Sequence, residues 1–230
     1  MSVNIAISVE GQTEESFIKH ILAPYLLTKN IIIEPITVIT KRLANQSHRG
    51  GTISFDKAIR DISKLLNPKY DLVTTFYDYY GLNKDFFPEQ PDSDVYRNVK
   101  LIEEKMAVHV NNEKFLPYIQ LHEFETFLFI KPDITSNNLM DCKKNIVEKA
   151  IYSALQQANN NPELVNNSTE TAPSKRIINV YSSYQKVTDG LNICKDLGIQ
   201  SIREKCPHFE EWLTTLIQHS ETVLNNKIQN

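Results

Sequence analysis

Carboxylates follow the strand-like segments of this sequence at three places. The apolar run "VNIAISV" ends at Glu10, with Glu14 close behind it, and the run "YDLVTTFYD" ends at Asp78. A further apolar stretch contains Glu123 and Glu125, in "HEFETFLF". Because ligands of parallel α/β sheets collect at the carboxyl ends of the strands, we expect these side chains at one edge of a sheet.

The negative charge of several neighbouring carboxylates indicates what such a site would bind. Carboxylates held close together repel one another and raise one another's pKa, so a folded protein normally gathers them around a cation. Oxygen ligands without a His/Cys set favour Mg²⁺ or Mn²⁺ over zinc. Sites of this kind commonly serve phosphoryl transfer, in which the metal polarises the phosphate and lowers the pKa of the attacking water.

Each acid alone also has a structural interpretation. Glu14 and Glu15 fall in a first helical turn, where the helix dipole favours negative side chains. Asp78 can shape a turn before Gly81, since aspartate readily bonds to nearby backbone. Glu125 can lie on the exposed face of a helix. The convergence of acids at three strand ends favours the functional interpretation.

The elements that must position these acids alternate along the first part of the chain. Strand-like runs are separated by amphipathic segments such as "SFDKAIRDISKLLN" and "SDVYRNVKLIEEKMAVHV". This alternation predicts an α/β fold with a largely parallel, four-stranded sheet. We expect an α/β core over residues 1–130 and a mainly helical C-terminal extension, packed on that core, over residues 131–230.

Composition narrows the function classes. The net charge of −3 provides no overall basic surplus, so any grip on phosphate must come from a local basic patch or from metal ions. No stretch approaches the roughly 20 apolar residues of a membrane helix, and the N-terminus lacks signal-peptide features. Cys142, Cys194 and Cys206 are an odd number and lie far apart, which argues against a disulfide framework and fits a reducing cytoplasm.

Several common site motifs are absent from the sequence. It contains no GxxxxGK[ST] phosphate-binding loop, no GxGxxG after the first strand and no GxSxG elbow. The aromatic cluster Phe76, Tyr77, Tyr79 and Tyr80 is interpreted as sheet packing in preference to a base-stacking platform.

Five motifs together resemble one bacterial family. They are "VEGQTEE", "FYDYYGL", "HEFETFLF", "TAPSKRI" and "IREKCPHF", and they extend over nearly the whole chain. The family they resemble is the domain of unknown function DUF4276, whose members are regarded as relatives of the Toprim fold of topoisomerases, primases and overcoming-lysogenization-defect nucleases. The resemblance implies a Toprim-like Rossmannoid core.

The resemblance also implies roles for the first acids. The Toprim glutamate would be Glu10, as metal ligand or general acid/base, and the second glutamate of the nuclease branch would be Glu14. The Asp-x-Asp motif falls on Asp78, but Tyr80 stands where the second aspartate would be. A phenol, with a pKa of about 10, is a poor Mg²⁺ ligand, so one or two metals remain open.

Later residues complete the expected site. Glu123 and Glu125 are candidate late ligands, and Glu125 is the better match. His122 is a candidate general base or phosphate ligand, with a structural hydrogen-bonded histidine as the alternative. Lys175 and Arg176 can bind phosphate, or can equally pin the polar loop to the core.

The leading hypothesis is a metal-dependent Toprim-type nuclease acting on DNA or RNA with Mg²⁺ or Mn²⁺. By resemblance to defence proteins, we expect an effector subunit in bacterial antiviral defence that works with an ATPase partner, and a homo-oligomer is open. The alternatives are a non-catalytic assembly or regulatory module that kept the scaffold, and a phosphohydrolase of small nucleotides.

Overall fold

The computed structural model of the chain describes residues 1–37, 53–139, 144–166 and 171–229. The strands are β1 Val3–Val9, β2 Ile31–Thr37, β3 Leu72–Asp78, β4 Phe115–Leu116 and β5 Ile119–Gln120. The helices are α1 Gln12–Phe17, α2 Ala23–Leu27, α3 Phe55–Leu65, α4 Val95–Val110, α5 Pro132–Asn138, α6 Lys144–Gln157, α7 Pro173–Val180, α8 Lys186–Lys205 and α9 Pro207–Gln229. A π-helical turn at Ile18–Leu22 joins α1 to α2, and short 3₁₀ turns lie at Tyr79–Gly81, Lys84–Phe86, Phe124–Phe129 and Pro162–Leu164.

The sheet is parallel throughout its described strand pairs. Its order is β2-β1-β3-β4, and β5 pairs with β3 beyond β4. Parallel neighbours need crossover connections, which here carry the helices. The prediction of an α/β fold with a largely parallel sheet and a helical C-terminal part is confirmed, with the added finding of a fifth, two-residue strand.

The register of the central strands explains where the acids emerge. Val9 of β1 pairs with Phe76 of β3, and Asp78 of β3 pairs with Gln120 of β5. Glu10 and Asp78 therefore leave the sheet at nearly the same level, and the chain after β5 leaves beside them. The three strand ends meet at one edge because the strands run in the same direction.

Two apolar layers cover the sheet. On one face, Phe76 packs in a cluster with Phe17, Phe127 and Phe209, and on the other face Tyr77 packs with residues of α3 and α4. The side chains alternate in this way because successive residues of a strand point to opposite faces. Each face of β3 is thus buried, and all seven of its residues are shielded from solvent.

The last helix is bonded directly to the sheet. Trp212 of α9 stacks on Tyr118 with ring centroids 4.4 Å apart, and its Nε1 donates a hydrogen bond to Thr74 Oγ1 at 2.9 Å. A buried indole needs such an acceptor. The C-terminal helices and the sheet therefore share one core, and the division of the chain near residue 130 stays a prediction.

Cys194 and Cys206 are buried free thiols, and Cys142 lies outside the described residues. In the described ranges, the helices are too short or too polar to cross a bilayer.

Candidate functional site

Four carboxylates gather at the carboxyl edge of the sheet. Glu10 directly follows β1, Glu14 lies on α1, Asp78 ends β3, and Glu125 lies in the 3₁₀ helix after β5. We call these four residues the acid cluster. Glu14, Asp78 and Glu125 are only 5%, 8% and 0% exposed. The other three are near enough to Asp78 for each of their charges to raise its pKa.

Lys186, the first residue of α8, is the counter-ion of this cluster. Its Nζ lies 3.0 Å from Glu125 Oε2 and 3.8 Å from Asp78 Oδ2. Burial by itself would lower the pKa of Lys186, but the facing carboxylates raise it above its ordinary value, so the ammonium stays charged. The Lys186 side chain is 42% exposed, whereas that of Glu125 is fully buried.

Burial is the main cause of the abnormal acidities in the cluster. It raises the pKa of Glu10 to about 8, with the charge of Glu14 adding to the effect and that of Lys186 opposing it. Burial likewise raises the pKa values of Glu14, Asp78 and Glu125, against the influence of Lys186. Removing carboxylates from water disfavours their charged form unless a cation compensates.

The cluster has oxygen atoms that are free to bind a ligand. Glu10 Oε1, Asp78 Oδ1 and Glu125 Oε2 are buried and accept no hydrogen bond from the described part of the chain, although the last has the ion pair with Lys186. A buried acceptor without a partner costs about 1–3 kcal/mol. Carboxylate oxygens are the donors that Mg²⁺ and Mn²⁺ take, so the donor chemistry fits the expected metal.

The spacing of the acidic side chains limits how well they fit a metal ion. Over the described residues, no group of three His, Cys, Asp or Glu side chains is arranged so that it could hold one ion. The cation that faces the acids in this structure is the Lys186 ammonium. The acid cluster thus supplies suitable ligands without presenting a closed coordination shell.

Gly81 makes room for the Glu10 carboxylate. A Cβ built on Gly81 would lie 2.3 Å from Glu10 Oε2, far inside ordinary contact distance. Gly81 ends the 3₁₀ turn that directly follows Asp78. The turn therefore begins at the acid that ends β3 and ends next to Glu10, the acid that follows β1. The glycine in "DYYGL" is therefore explained by a close approach.

Tyr80, at the position of the expected second aspartate, stays neutral. Burial, with Tyr79 and Glu123 nearby, raises the pKa of its phenol to about 12. Its backbone N–H donates to the carbonyl of His122 at 3.1 Å, and the two rings lie 5.4 Å apart at 32°. Tyr80 therefore adds no anion to the site and instead lies beside His122.

His122 occupies an unusual backbone conformation. Its φ is +59°, in the left-handed region, which histidine adopts more often than most side chains do. Burial lowers its pKa to about 4, so the imidazole is neutral at pH 7. Asn166 Nδ2 lies 3.4 Å from Nδ1, and the buried Nε2 has no partner in the described part of the chain.

Three other predicted site residues make contacts of a different kind. Glu123 Oε2 accepts a hydrogen bond from the backbone N–H of Ser174, at the start of α7. Arg176 Nε donates to the carbonyl of Thr171 at 2.8 Å, and Lys175 is exposed on α7. Glu123 thus ties the start of α7 to the 3₁₀ helix of Glu125, whereas Arg176 bonds back to Thr171 just before its own helix, and the roles of these residues in binding metal or phosphate stay predictions.

Two residues of this site were missed by sequence reasoning. Tyr184 Oη donates to Glu125 Oε1 at 3.3 Å, and Lys186 forms the ion pairs described above. One signal was available, because a lysine in the first turn of a helix opposes the helix dipole and requires an anionic partner. No motif in "SSYQKVTDG" indicates that this partner is the acid cluster.

Comparison with known proteins places this geometry in a family. No curated protein sequence matches the chain. Two solved structures are similar to it. One is the C-terminal region of the Burkholderia pseudomallei OLD protein, with a TM-score of 0.46 and 12% identity; the match covers 94% of this chain and 99% of that one. The other is the C-terminal region of the Xanthomonas campestris pv. campestris OLD protein, with a TM-score of 0.45 and 13% identity; the match covers 97% of each chain. The model of the family described as "Domain of unknown function (DUF4276)" matches residues 9–217, and the chain therefore belongs to that family, as its five motifs predict.

Proposed function

We propose that this protein is a metal-dependent nuclease that hydrolyses phosphodiester bonds of DNA or RNA. The observation that carries the proposal is the acid cluster at the edge of a parallel sheet. Its buried Glu10 Oε1 and Asp78 Oδ1 have no hydrogen-bond donor in the described part of the chain, and its buried Glu125 Oε2 has only the ion pair with Lys186. A protein keeps such costly groups together where a cation completes them. The Toprim-like motifs of the sequence support the same reaction class.

Glu10, Asp78 and Glu125 are the proposed ligands of Mg²⁺ or Mn²⁺, and Glu14 supports them. The metal, when bound, supplies Lewis acidity toward the phosphate and a more acidic water. The exposed side of Lys186 can meet a phosphate oxygen while its inner side faces Glu125 and Asp78. This places a fixed positive charge where negative charge develops during hydrolysis.

The outer residues are assigned weaker roles. His122 is neutral and can accept a proton, but a pKa of about 4 makes it a poor base at pH 7. Glu123 holds the start of α7, and Lys175 and Arg176 remain candidates for phosphate contact on that helix. Mutation of these residues is expected to affect cleavage less than mutation of the acid cluster.

The proposed context is an effector subunit of bacterial antiviral defence. The formal charge of −3 supports an arrangement in which an ATPase partner provides part of the nucleic-acid-binding surface. A homo-oligomer stays open. The effector role and the ATPase partner follow from the family resemblance rather than from a described contact.

Cleavage of plasmid, single-stranded DNA and tRNA, with Mg²⁺ or Mn²⁺, tests the proposal. Wild type is compared with Glu10→Gln and Asp78→Asn, which keep side-chain size and remove charge, with and without a candidate ATPase. Glu15→Gln is the matched control, because Glu15 is a neighbouring acid that instead pairs with Lys19. Metal-dependent cutting that both site variants lose and the control keeps would support the proposal.

The second candidate is a non-catalytic assembly module, and the position of Lys186 favours it. A built-in ammonium compensates the acids without a metal, and Tyr80 withholds one expected ligand. Calorimetric titration with Mn²⁺ separates the two candidates. Absence of both metal binding and cleavage in a folded protein would favour the module, whereas binding that Asp78→Asn abolishes would favour the nuclease.

A further inference from the structure

A cavity of about 340 Å³ lies beside the turn that follows Asp78. We call it the tyrosine cavity, and its wall includes Tyr79, Tyr80, Asn98, His122, Leu164 and Asn166. In the same 3₁₀ turn, Gly81 touches the Glu10 carboxylate. The acid cluster and the tyrosine cavity therefore border the same turn, and a three-residue 3₁₀ turn is only about 6 Å long.

The aromatic residues of this region divide into two groups. Phe76 and Tyr77 are fully buried, as the packing interpretation predicts, but Tyr79 and Tyr80 are only half-buried and line the cavity. Their ring centroids are 5.8 Å apart at 58°. The packing interpretation thus holds for Phe76 and Tyr77, and Tyr79 still packs against the core layer of Tyr77, whereas Tyr80 lies outside both core clusters because the strand ends at Asp78.

The cavity wall offers flat surfaces and few charges. Tyr80 lies beside the His122 ring at 5.4 Å and 32°, and Tyr79 is fixed against Phe87 at 5.0 Å. None of the described residues that line the cavity is a lysine or an arginine, and Asp94 is an acid. Among these described residues a phosphate meets no cation, whereas an uncharged planar group meets aromatic rings.

His122 adds a second observation. Its Nε2 is buried and has no hydrogen-bond partner in the described part of the chain, and its backbone is held at a positive φ. Strained backbone of this kind concentrates at functional sites. A neutral imidazole nitrogen donates in one tautomer and accepts in the other, and the edge of a nucleobase offers both kinds of group.

We propose that the tyrosine cavity binds an unpaired nucleobase of the strand whose phosphodiester lies at the acid cluster. This inference rests on the proposed nuclease function and specifies its substrate class as single-stranded or unpaired nucleic acid. A base that stacks on Tyr80 has left its own stack, which costs least where no pairing partner exists. Stacking on aromatic side chains tolerates any base, so the preference is for strandedness and not for sequence.

Binding to short fluorescent oligonucleotides tests the inference without cleavage. Anisotropy is measured for oligothymidylate, a blunt duplex of equal length and an abasic strand of equal length, with Ca²⁺ in place of Mg²⁺. Tyr80→Ala is expected to weaken binding of oligothymidylate roughly 5- to 100-fold, as for the loss of one stacking contact. Tyr80→Phe is expected to retain binding, and the abasic strand is expected not to distinguish Tyr80→Ala from wild type.

Tyr152→Ala is the matched control, because Tyr152 is a half-exposed tyrosine on α6, outside both sites. Equal binding of oligothymidylate by wild type and Tyr80→Ala would overturn the inference. It would also be overturned if the wild-type protein bound the single strand and the duplex equally well, or bound neither of them. The nuclease proposal fails separately, when oligothymidylate binds as expected and no metal supports cleavage. Cleavage that depends on the acid cluster, with binding insensitive to Tyr80, would overturn the cavity alone.

Discussion

Gly81→Ala gives a direct test of the geometry at the acid cluster. The added Cβ would lie 2.3 Å from Glu10 Oε2. Ordinary contact of a Cβ begins at 3.4 Å, so the carboxylate must move by 3.4 − 2.3, about 1.1 Å. Gly81 is not among the described residues with positive φ, so alanine fits the backbone and the strain falls on Glu10.

The expected effect is large on chemistry and small on stability. Misplacing a catalytic group by about 1 Å can cost about 10²-fold in rate, so we expect kcat/KM to fall about 100-fold and Mn²⁺ to bind more weakly. Overpacking costs about 1–3 kcal/mol, and a movable carboxylate end places this substitution at the lower limit. Cleavage kinetics, Mn²⁺ calorimetry and urea unfolding measure the three quantities.

Two further variants make the test specific. Gly11→Ala is the control, since its Cβ would lie 3.2 Å from Glu14 Oε2 and needs a shift of only a few tenths of an ångström. If Gly81→Ala acts through Glu10 alone, adding it to Glu10→Gln causes no further loss. Wild-type kcat/KM and wild-type Mn²⁺ affinity in Gly81→Ala would refute the reasoning.

Two other perturbations have defined outcomes. Lys186→Met is expected to lower the free energy of unfolding by about 1–3 kcal/mol, because it removes the cation that faces the fully buried Glu125 carboxylate. It is also expected to lower kcat at least about 100-fold, with Lys186→Arg retaining more, and cleavage at the wild-type rate would contradict this. Burial lowers the pKa of His208, but the carboxylates of Glu103, Glu163 and Glu211 raise it above its ordinary value. The protonated histidine therefore contributes its full stability below about pH 6.5, and this contribution is lost as the pH rises through the folded-state pKa. His208→Gln is therefore expected to cost about 1.5–3 kcal/mol in urea unfolding at pH 6 and clearly less at pH 9, and a cost that is constant over this range would disprove the role of the ion pair.

The gathering of acids could be predicted because it depends on local signals and one topological rule. The β-branched runs before Glu10 and Asp78 indicate buried strands, and parallel strands bring their carboxyl ends to one edge. The stretch around Glu125 was harder to interpret, since one apolar run forms two short strands and a 3₁₀ helix. Its strands are fixed by pairing with β3 and not by their own propensity.

The contrast between Glu123 and Glu125 shows what the sequence alone cannot decide. The two residues are separated by one position at the start of a tight 3₁₀ helix, where neighbouring side chains point in different directions. Glu125 reaches Lys186 and Glu123 reaches the N-terminus of α7, and both partners lie far along the chain. Such choices depend on tertiary packing, which is also why Lys186 was not anticipated.

The position of Lys186 in the chain has a consequence for biosynthesis. The acids of the cluster are complete at Glu125, whereas their ammonium partner is synthesised 61 residues later. At about 5–20 residues per second, the ribosome needs about 3–12 s to add that segment. During this interval the nascent chain carries four carboxylates whose permanent counter-ion does not yet exist, and the sheet also lacks Trp212. The site therefore matures only when the C-terminal helices have been synthesised and docked.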